Sequence, residues 1–414
     1  MSTIPHSLIR EFPEPEITLA EWTRTMKRSV LREMLAVVSR PGILSFAGGL
    51  PDPKLFPVKE FAEAVSQVLA SDAKALQYGP PFLPLKRHIV ALMAQRGVIC
   101  SEDQVFITTG AQQALNVLTH LFLNDGGQVL IEELVYSGIQ QAIAPFNPDI
   151  LTVTTDLQQG MDVDKVEVHL LAGSRPSFLY AISEAHNPLG VTLSRDRKQQ
   201  LVALARQYGL PIIEDDPYGL LRYESSAASP MRALDEEWVF YVGSFSKILA
   251  PALRLGWIVA PEFLVSKLTV IKESSDLETS AFIQRSVSAY LDAGHLPAHL
   301  DRLRQTYRLR RDTMLEAMAR EFPPSARWTR PTGGMFIWVE LPGHVDTAQL
   351  LWPAVEELQV AFIPGTAFEA TAGSNRTDAG HRAKNCLRLN FSNCSPDTIE
   401  EGIGRLGTLL HKYC

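Results

Sequence analysis

One lysine lies where the sequence gives it no acidic neighbour. Lys247 is part of the run GSFSKILAPALRLGW, residues 243–257, in which most of the surrounding residues are small or apolar. An ammonium group in such surroundings is costly to bury unless an acid pairs with it or a covalent bond uses it. Lys247 is therefore a candidate for covalent chemistry. The strands and helices around it decide which other side chains it can contact.

Short apolar runs alternate with helical patterns through the middle of the chain. This alternation predicts a parallel sheet with helices on both faces, whose buried strands are apolar throughout rather than at every second residue. The predicted strands are residues 104–110, 128–133, 178–184, 211–216 and 238–244. The sequence thus predicts an α/β fold.

Polar residues follow several of these strands at their carboxyl ends. They are Gly110, residues 184–187, residues 215–218 and residues 244–247. In an open parallel sheet, ligands bind in the crevice outside the carboxyl ends of the strands. We therefore expect these residues, which come from four strands, to converge on one crevice.

Each of these residues alone has an ordinary structural explanation. Asp215 alone suggests a helix cap or a salt bridge, Asn187 in AHNPLG a turn, and Arg254 a surface ion pair. Gly110 stands at a strand-to-helix junction, where backbone N–H groups and the helix dipole suit a phosphate. The run TTGAQQAL lacks both the GxGxxG pattern and the Walker lysine, so neither a dinucleotide nor ATP is predicted.

The composition excludes several classes of protein. The 414 residues are 46% hydrophobic and 21% charged, with a net charge of -7, which is ordinary for a globular protein. No basic face or polybasic cluster predicts a nucleic-acid or membrane partner, and no apolar run is long enough to cross a bilayer. The N-terminus has no apolar core of a secretory signal, and the four cysteines show no CxxC spacing. We expect a cytoplasmic protein with reduced thiols.

Two histidines have a spacing that metal pairs use. His295 and His299 are four residues apart, but Pro297 lies between them and no HExxH pattern is present. A structural role is the better explanation, and no metal site is predicted.

The pattern changes after about residue 290. A long charged helix is followed by GGMFIWVELP, VAFIPG, CLRLNFS and a final helix, which is typical of a smaller α+β domain. We predict an N-terminal arm over residues 1–50 that belongs partly to this small domain, a large domain over 51–290 and the small domain over 291–414.

Five motifs together resemble a known family. The runs AHNPLG, EDDPYG, GSFSKILAPALRLGW, GGMFIWVELP and RLNFS occur in this order, and the resemblance spans nearly the whole chain. They resemble the fold-type-I pyridoxal-phosphate enzymes of the class I/II aminotransferases, closest to the 2-aminoadipate and kynurenine aminotransferase type. The resemblance implies a mostly parallel seven-stranded sheet in the large domain, beside a smaller α+β domain.

The resemblance also implies roles toward pyridoxal phosphate. Lys247 is similar to the lysine that forms an internal aldimine with the cofactor and then moves a proton as general base and acid, for which desolvation supplies a lowered pKa. Asp215 is similar to the residue that pairs with the pyridine nitrogen, Tyr218 and Asn187 to those that bind the phenolate oxygen, and Tyr136 to the one that stacks on the ring. The phosphate group is expected to meet Gly110, Ala111, Gln112, Ser244, Ser246 and Arg254.

Further residues are implied for the substrate and the partner subunit. Tyr78 is similar to a tyrosine that reaches the phosphate of the neighbouring subunit, which implies a homodimer with shared active sites. Arg388 is similar to the arginine that binds the substrate carboxylate, and Gly49 would let the backbone approach that carboxylate. Ser29 and Arg32 fall where the 2-aminoadipate type places residues near the substrate side chain, although an exposed helical Arg32 is an equal alternative.

The chain departs from the family in the loop after Tyr78, in EELVYSG and in SEAH, which contains Glu184 and His186. Three functions stay open, and these departures add weight to the second of them. The first is an aminotransferase that moves an amino group from an L-amino acid to a 2-oxo acid by a ping-pong mechanism. The second is another pyridoxal-phosphate reaction, such as decarboxylation, oxidation or γ-substitution. The third is the effector domain of a transcription regulator. A basic N-terminal recognition helix would favour it, and the first twenty or so residues show no such helix.

Overall fold

The computed structural model describes residues 42–224, 229–370 and 382–414, together with Thr18, Ala20, Trp22 and Thr23. Within these ranges the α-helices are α1 Val58–Ser71, α2 Leu83–Gln95, α3 Ala111–Phe122, α4 Ser137–Ile143, α5 Val163–Leu171, α6 Arg195–Tyr208, α7 Glu262–Asp276, α8 Ala281–Asp292, α9 Leu296–Glu321, α10 Thr347–Leu358 and α11 Pro396–Tyr413. The strands are β1 Leu44–Ser45, β2 Val105–Thr108, β3 Gln128–Glu132, β4 Asp149–Val153, β5 Thr155–Asp156, β6 Gly160–Met161, β7 Leu179–Ala181, β8 Ile212–Asp215, β9 Val239–Ser244, β10 Gly256–Val259, β11 Arg327–Trp328, β12 Phe336–Glu340, β13 Val360–Ala361, β14 Ile363–Pro364 and β15 Cys386–Asn390.

A seven-stranded sheet forms the centre of the molecule, in the order β2-β10-β9-β8-β7-β3-β4. Strand β10 is antiparallel to both of its neighbours, while the pairs from β9 to β4 are all parallel. The mostly parallel seven-stranded sheet is therefore confirmed. The five strands predicted from the alternation all form, and β4 and β10 complete the sheet.

The central strands are buried on both faces. Every residue of β2, β7, β8, β9 and β10 is buried, which explains why their sequences are apolar without alternation. Helix α3 packs against β9 and β10 on this sheet. Helix α6 begins after Ser194, which caps it: its hydroxyl accepts a hydrogen bond from the N–H of Arg197 at 3.4 Å.

A second, antiparallel sheet is built by the C-terminal part of the chain, in the order β11-β12-β15-β14. Strand β1 pairs in parallel with β13, so residues 44–45 join the C-terminal part rather than the central sheet. The long helix α9 packs against α11 beside this sheet. The N-terminal arm over residues 1–50 and the domain boundaries at residues 50 and 290 stay predictions.

Among the described residues, no helix is both long and apolar enough to cross a membrane.

Candidate active site

The predicted residues converge at the carboxyl ends of the central strands. Asp215 is the last residue of β8, Ser244 is the last residue of β9, and Asn187 lies in the loop after β7. Arg388 reaches them from β15 in the other sheet and donates a hydrogen bond from Nη1 to Oδ1 of Asn187 at 2.8 Å. The site thus lies where the two sheets meet, and 201 positions of sequence separate the two residues of this hydrogen bond.

Lys247 is half-buried and lies three residues beyond the end of β9. Its Nζ donates a hydrogen bond to the carbonyl oxygen of Gly49 at 2.7 Å, and within the described ranges no carboxylate forms a salt bridge with it. Burial, with smaller contributions from the positive charges of Arg388 and Arg254, lowers the pKa of Lys247 to about 8. Roughly a tenth of this amine is therefore neutral at pH 7, far more than for an ordinary lysine, and the neutral form is the nucleophile.

Asp215 has one occupied and one free carboxylate oxygen. The phenol of Tyr180 donates to Oδ2 at 2.8 Å, whereas Oδ1 is buried without a hydrogen-bond partner among the residues that the structure describes. Burial raises the pKa of Asp215 to about 7, against the hydrogen bond from Tyr180, which lowers it. A buried oxygen of this kind calls for a donor, and a protonated ring nitrogen is a suitable one.

The start of helix α3 forms one wall of an anion site. Gly110 is the N-cap with φ 86°, and the N–H of Gln113 bonds back to its carbonyl at 3.1 Å. The N–H groups of Ala111 and Gln112 therefore precede the first bond within the helix and point out of its N-terminus. Together with the helix dipole they suit a phosphate.

The guanidinium of Arg254 closes this wall. A Cβ placed on Gly110 would lie 2.6 Å from Nη2 of Arg254, so only glycine lets the arginine come this close. Ser244 and Ser246 face each other with their hydroxyl oxygens 2.9 Å apart. We call Gly110, Ala111, Gln112, Ser244, Ser246 and Arg254 the phosphate cup.

Tyr136 lies beside the phosphate cup at the start of α4. The amide of Gln112 donates to the carbonyl of Gly138 at 2.8 Å, and a Cβ on Gly138 would overlap both the Tyr136 ring and the Gln112 side chain. Tyr218 is buried in the same site, and burial raises its pKa. Tyr136 and Tyr218 thus place an aromatic ring and a protonated phenol near Asp215, whose charge acts on Tyr218.

Arg388 is held between the N-terminal segment and two aromatic rings. Its Nη2 donates to the carbonyl of Ala47 at 2.7 Å, and its Cζ lies 4.2 Å from the ring centre of Phe336 and 4.7 Å from that of Phe368. Burial lowers the pKa of Arg388, and Nε has no partner in the described part of the chain. A planar carboxylate is the anion that such a fork binds best.

Gly49 lies against the same aromatic wall. A Cβ on this residue would be 3.2 Å from the ring of Phe336, so the missing side chain lets residues 47–49 pack closely beside Arg388. Its carbonyl accepts the hydrogen bond from Lys247.

Of the described residues, one that was predicted for the site, Tyr78, is not part of this cluster. Tyr78 is 77% exposed, on a loop whose Gly79 N–H bonds to the carboxylate of Glu278 at 3.0 Å. Ser29 and Arg32 lie outside the described residues, so their predicted place near the substrate side chain stays a prediction.

The departures in SEAH have structural partners. Glu184 is buried and lies 2.5 Å from Nζ of Lys198 and 2.6 Å from Nη1 of Arg222. His186 is buried with its Nε2 2.9 Å from Oε2 of Glu132. Glu184 is thus paired with two cationic side chains, and His186 lies against a buried carboxylate.

Sequence reasoning missed several residues of the site. Ala47 contributes a backbone carbonyl, which no side-chain pattern reveals, and Phe336 and Phe368 have the form of ordinary core residues. Tyr180 lies inside the apolar strand FLYAISE, where an aromatic residue is normally part of the core. The tyrosine hydroxyl in a fully buried strand is the one signal that a polar partner must be present.

The comparisons define the class of protein to which this site belongs. The sequence profile of the family Aminotransferase class I and II matches residues 46–406, and the chain therefore belongs to this family. The chain is 39% identical to aromatic-amino-acid aminotransferase 1 of Thermococcus litoralis over 391 residues, 92% of this chain and 91% of the relative.

Solved structures agree with this assignment. Kynurenine aminotransferase of Pyrococcus horikoshii, in complex with PMP, has a TM-score of 0.88 at 38% identity and covers 95% of this chain and 97% of its own. The α-aminoadipate aminotransferase of Thermus thermophilus, complexed with N-(5'-phosphopyridoxyl)-L-leucine, has a TM-score of 0.86 at 36% identity over 95% of this chain and 97% of its own. More narrowly, then, the protein is a pyridoxal-phosphate-dependent aminotransferase, similar to the 2-aminoadipate and kynurenine type.

Proposed function

We propose that this aminotransferase uses Lys247 as its cofactor-binding and proton-moving amine, and that it acts on L-amino acids with long or aromatic side chains. The observation that supports this best is the meeting of Lys247, Asp215, Asn187 and Arg388 in one site, where one oxygen of Asp215 has no hydrogen-bond partner among the described residues. When bound, pyridoxal phosphate supplies an electron-withdrawing ring that stabilises the charge left at the substrate Cα.

The described residues fit this cofactor. The phosphate cup provides helix N–H groups, two hydroxyls and a guanidinium for a dianion. Oδ1 of Asp215 would accept a hydrogen bond from the protonated ring nitrogen. Tyr218 and Asn187 would bind the phenolate oxygen, and Tyr136 would cover the ring face.

Lys247 moves the proton in this proposal. Its amine lies on a flexible side chain 2.7 Å from the Gly49 carbonyl, and burial holds its pKa at about 8. An amine with this pKa accepts a proton from the substrate Cα and returns it near neutral pH, since a catalytic pKa close to the working pH is the most effective.

Arg388 orients the substrate. The α-carboxylate would take up its free donor capacity, and a bidentate pair fixes the rotation of the substrate about its Cα. Because every L-amino acid and every 2-oxo acid has this carboxylate, Arg388 serves donor and acceptor alike.

The substrate side chain is proposed from relatives rather than from a described pocket. The named relatives act on aromatic amino acids, kynurenine and α-aminoadipate. We propose a similar range here, with Arg32 binding a distal carboxylate when the substrate has one.

A homodimer with shared active sites is part of the proposal. Tyr78 exposes 77% of its surface on a loop fixed by Glu278, as expected for a residue that completes the phosphate cup of a partner subunit. The four cysteines are free thiols, which supports a reducing, cytoplasmic compartment.

A panel assay tests the proposed substrates. The purified protein with pyridoxal phosphate is incubated with single L-amino acids and 2-oxoglutarate, and the new 2-oxo acid is identified by mass spectrometry. We expect aromatic amino acids, kynurenine and 2-aminoadipate to be converted, and Lys247→Ala to be inactive. Conversion confined to small amino acids would contradict the proposed range.

A further inference from the structure

A buried phenol contacts the carboxylate that faces the cofactor site. Tyr180 is the middle residue of β7, lies beside Ile213 of β8 and has no exposed surface. Its hydroxyl donates to Oδ2 of Asp215 at 2.8 Å. This contact is separate from the phosphate cup and from the residues that bind substrate.

The contact makes the two oxygens of Asp215 unequal. Oδ2 is occupied by Tyr180, and Oδ1 stays buried and unpartnered among the described residues. The hydrogen bond therefore fixes the rotation of the carboxylate and leaves a single oxygen for the cofactor. It also makes the carboxylate a weaker base, because a donated hydrogen bond stabilises the charged form.

Other charges also act on Asp215. Asp216, next along the chain, raises its pKa, and His186 in the loop after β7 lowers it. His186 in turn lies 2.9 Å from Glu132, and the phenol of Tyr218 packs in the same site. Among the described residues, Tyr180 is the side chain that donates a hydrogen bond directly to this carboxylate.

We propose that Tyr180 is a positioning residue that aims Asp215 at the cofactor and keeps the proton they share on the pyridine nitrogen. The inference rests on the proposed pairing of Asp215 with that nitrogen. Two bases compete for one proton, the carboxylate oxygen and the ring nitrogen, and the hydrogen bond from Tyr180 weakens the first. Without it, the proton moves toward Asp215 and the ring loses its positive charge.

Tyr180 is suited to this role across the working pH range. Burial, together with the neighbouring charge of Asp215, raises its pKa well above 10. Its phenol therefore stays protonated and remains a donor whenever the enzyme is active.

The matched control is a second tyrosine–aspartate pair in the same sheet. The hydroxyl of Tyr241, on β9, donates to Oδ2 of Asp216 at 3.1 Å. Tyr241→Phe removes a buried hydrogen bond of the same kind from the adjacent carboxylate, which pairs with Arg96 instead of facing the ring.

The experiment compares wild type, Tyr180→Phe and Tyr241→Phe loaded with pyridoxal phosphate labelled with ¹⁵N in the ring. Solid-state ¹⁵N NMR reports whether the ring nitrogen is protonated, and equilibrium dialysis gives the Kd of the cofactor. We expect a protonated nitrogen in wild type and Tyr241→Phe. In Tyr180→Phe we expect a shift toward the neutral form and a Kd raised by about tenfold, as for the loss of one hydrogen bond to a charged group.

The outcomes separate the two claims. A neutral ring nitrogen in wild type would overturn the proposed pairing with Asp215. A protonated nitrogen and an unchanged Kd in Tyr180→Phe would leave the pairing intact and overturn the role of Tyr180. Should Tyr180→Phe fail to fold, 3-fluorotyrosine at position 180 keeps the shape and strengthens the donor, and the inference then requires a lower Kd than in wild type.

Discussion

The Nζ of Lys247 lies 2.7 Å from the carbonyl oxygen of Gly49, although 198 positions separate the two residues in the chain. Two residues earlier, the carbonyl of Ala47 accepts from Arg388, also at 2.7 Å. The segment 47–49 therefore contacts both the proposed cofactor-binding amine and the proposed substrate-binding guanidinium. A cofactor on Lys247 must replace the first hydrogen bond, whereas Nε of Arg388, which has no partner in the described ranges, can still bind a carboxylate.

Arg388→Lys should weaken every substrate alike. A lysine keeps the charge but loses the planar fork that matches a carboxylate, so we expect kcat/KM to fall by about 100-fold for all L-amino acids and 2-oxo acids. Steady-state kinetics on several donors measure this. The control is Arg310→Lys, which changes a buried arginine paired with Asp52 at 2.6 Å and should affect stability more than turnover. A loss confined to one substrate class would contradict the role of Arg388.

Asp215→Asn should stabilise the cofactor-free protein at neutral and higher pH. Burial raises the folded-state pKa of Asp215 from 3.8 to about 7. Between these two pH values the folded state keeps a proton that the unfolded state has lost, so the free energy of unfolding falls as the pH rises through this range. The asparagine avoids this penalty, and we expect a gain of roughly 2–4 kcal/mol at pH 8 and little at pH 4. Urea unfolding at several pH values measures it.

The neighbouring carboxylate gives the control for this prediction. Asp216 is ion-paired with Arg96 at 3.0 Å, so Asp216→Asn should destabilise the protein rather than stabilise it. A gain for Asp215→Asn that does not change with pH would show that its charge is not the cause.

Subunits with complementary defects should restore activity together. Tyr78→Ala and Lys247→Ala homodimers are each expected to be nearly inactive, because every site in them lacks one residue. In a hybrid dimer one site receives Lys247 from one subunit and Tyr78 from the other. Random mixing of equal amounts should recover about a quarter of the wild-type sites. Activity assays after subunit exchange measure this, and no recovery in verified hybrids would contradict shared sites.

Arg32→Gln should separate substrates by their distal group. If Arg32 binds a distal carboxylate, kcat/KM for 2-aminoadipate should fall by roughly tenfold or more, while that for phenylalanine changes little. Paired kinetics on these two donors give the ratio directly. An equal effect on both would favour the alternative of an exposed helical arginine.

The strand ends could be predicted because strands buried on both faces are apolar throughout, so each apolar run ends visibly in the sequence. The polar residues after β2, β7, β8 and β9 interrupt apolar runs, so Gly110, Asn187 and Asp215 could be located without a structure. Strand β4 was not predicted because it is only partly buried, and β10 was not predicted because no α-helix separates it from β9.

Contacts between distant segments could not be predicted in this way. The carbonyls of Ala47 and Gly49 act through the backbone, and a backbone acceptor leaves no mark on residue type. In the sequence Glu184 is a departure that bears on the substrate, yet the fold pairs it with Lys198 and Arg222. Which buried charge faces which partner is decided by packing that the local sequence does not encode.

The most direct test of the central claim is the visible absorbance of the purified protein with pyridoxal phosphate, followed through one half-reaction. We expect a visible band in the wild type that disappears when an L-amino acid is added and returns when 2-oxoglutarate is added. Lys247→Ala should show no such cycle. Lys247→Arg should behave like Lys247→Ala, since a positive charge without a nucleophilic amine is not sufficient. A band that survives in Lys247→Ala and still cycles between the two states would contradict the assignment of Lys247.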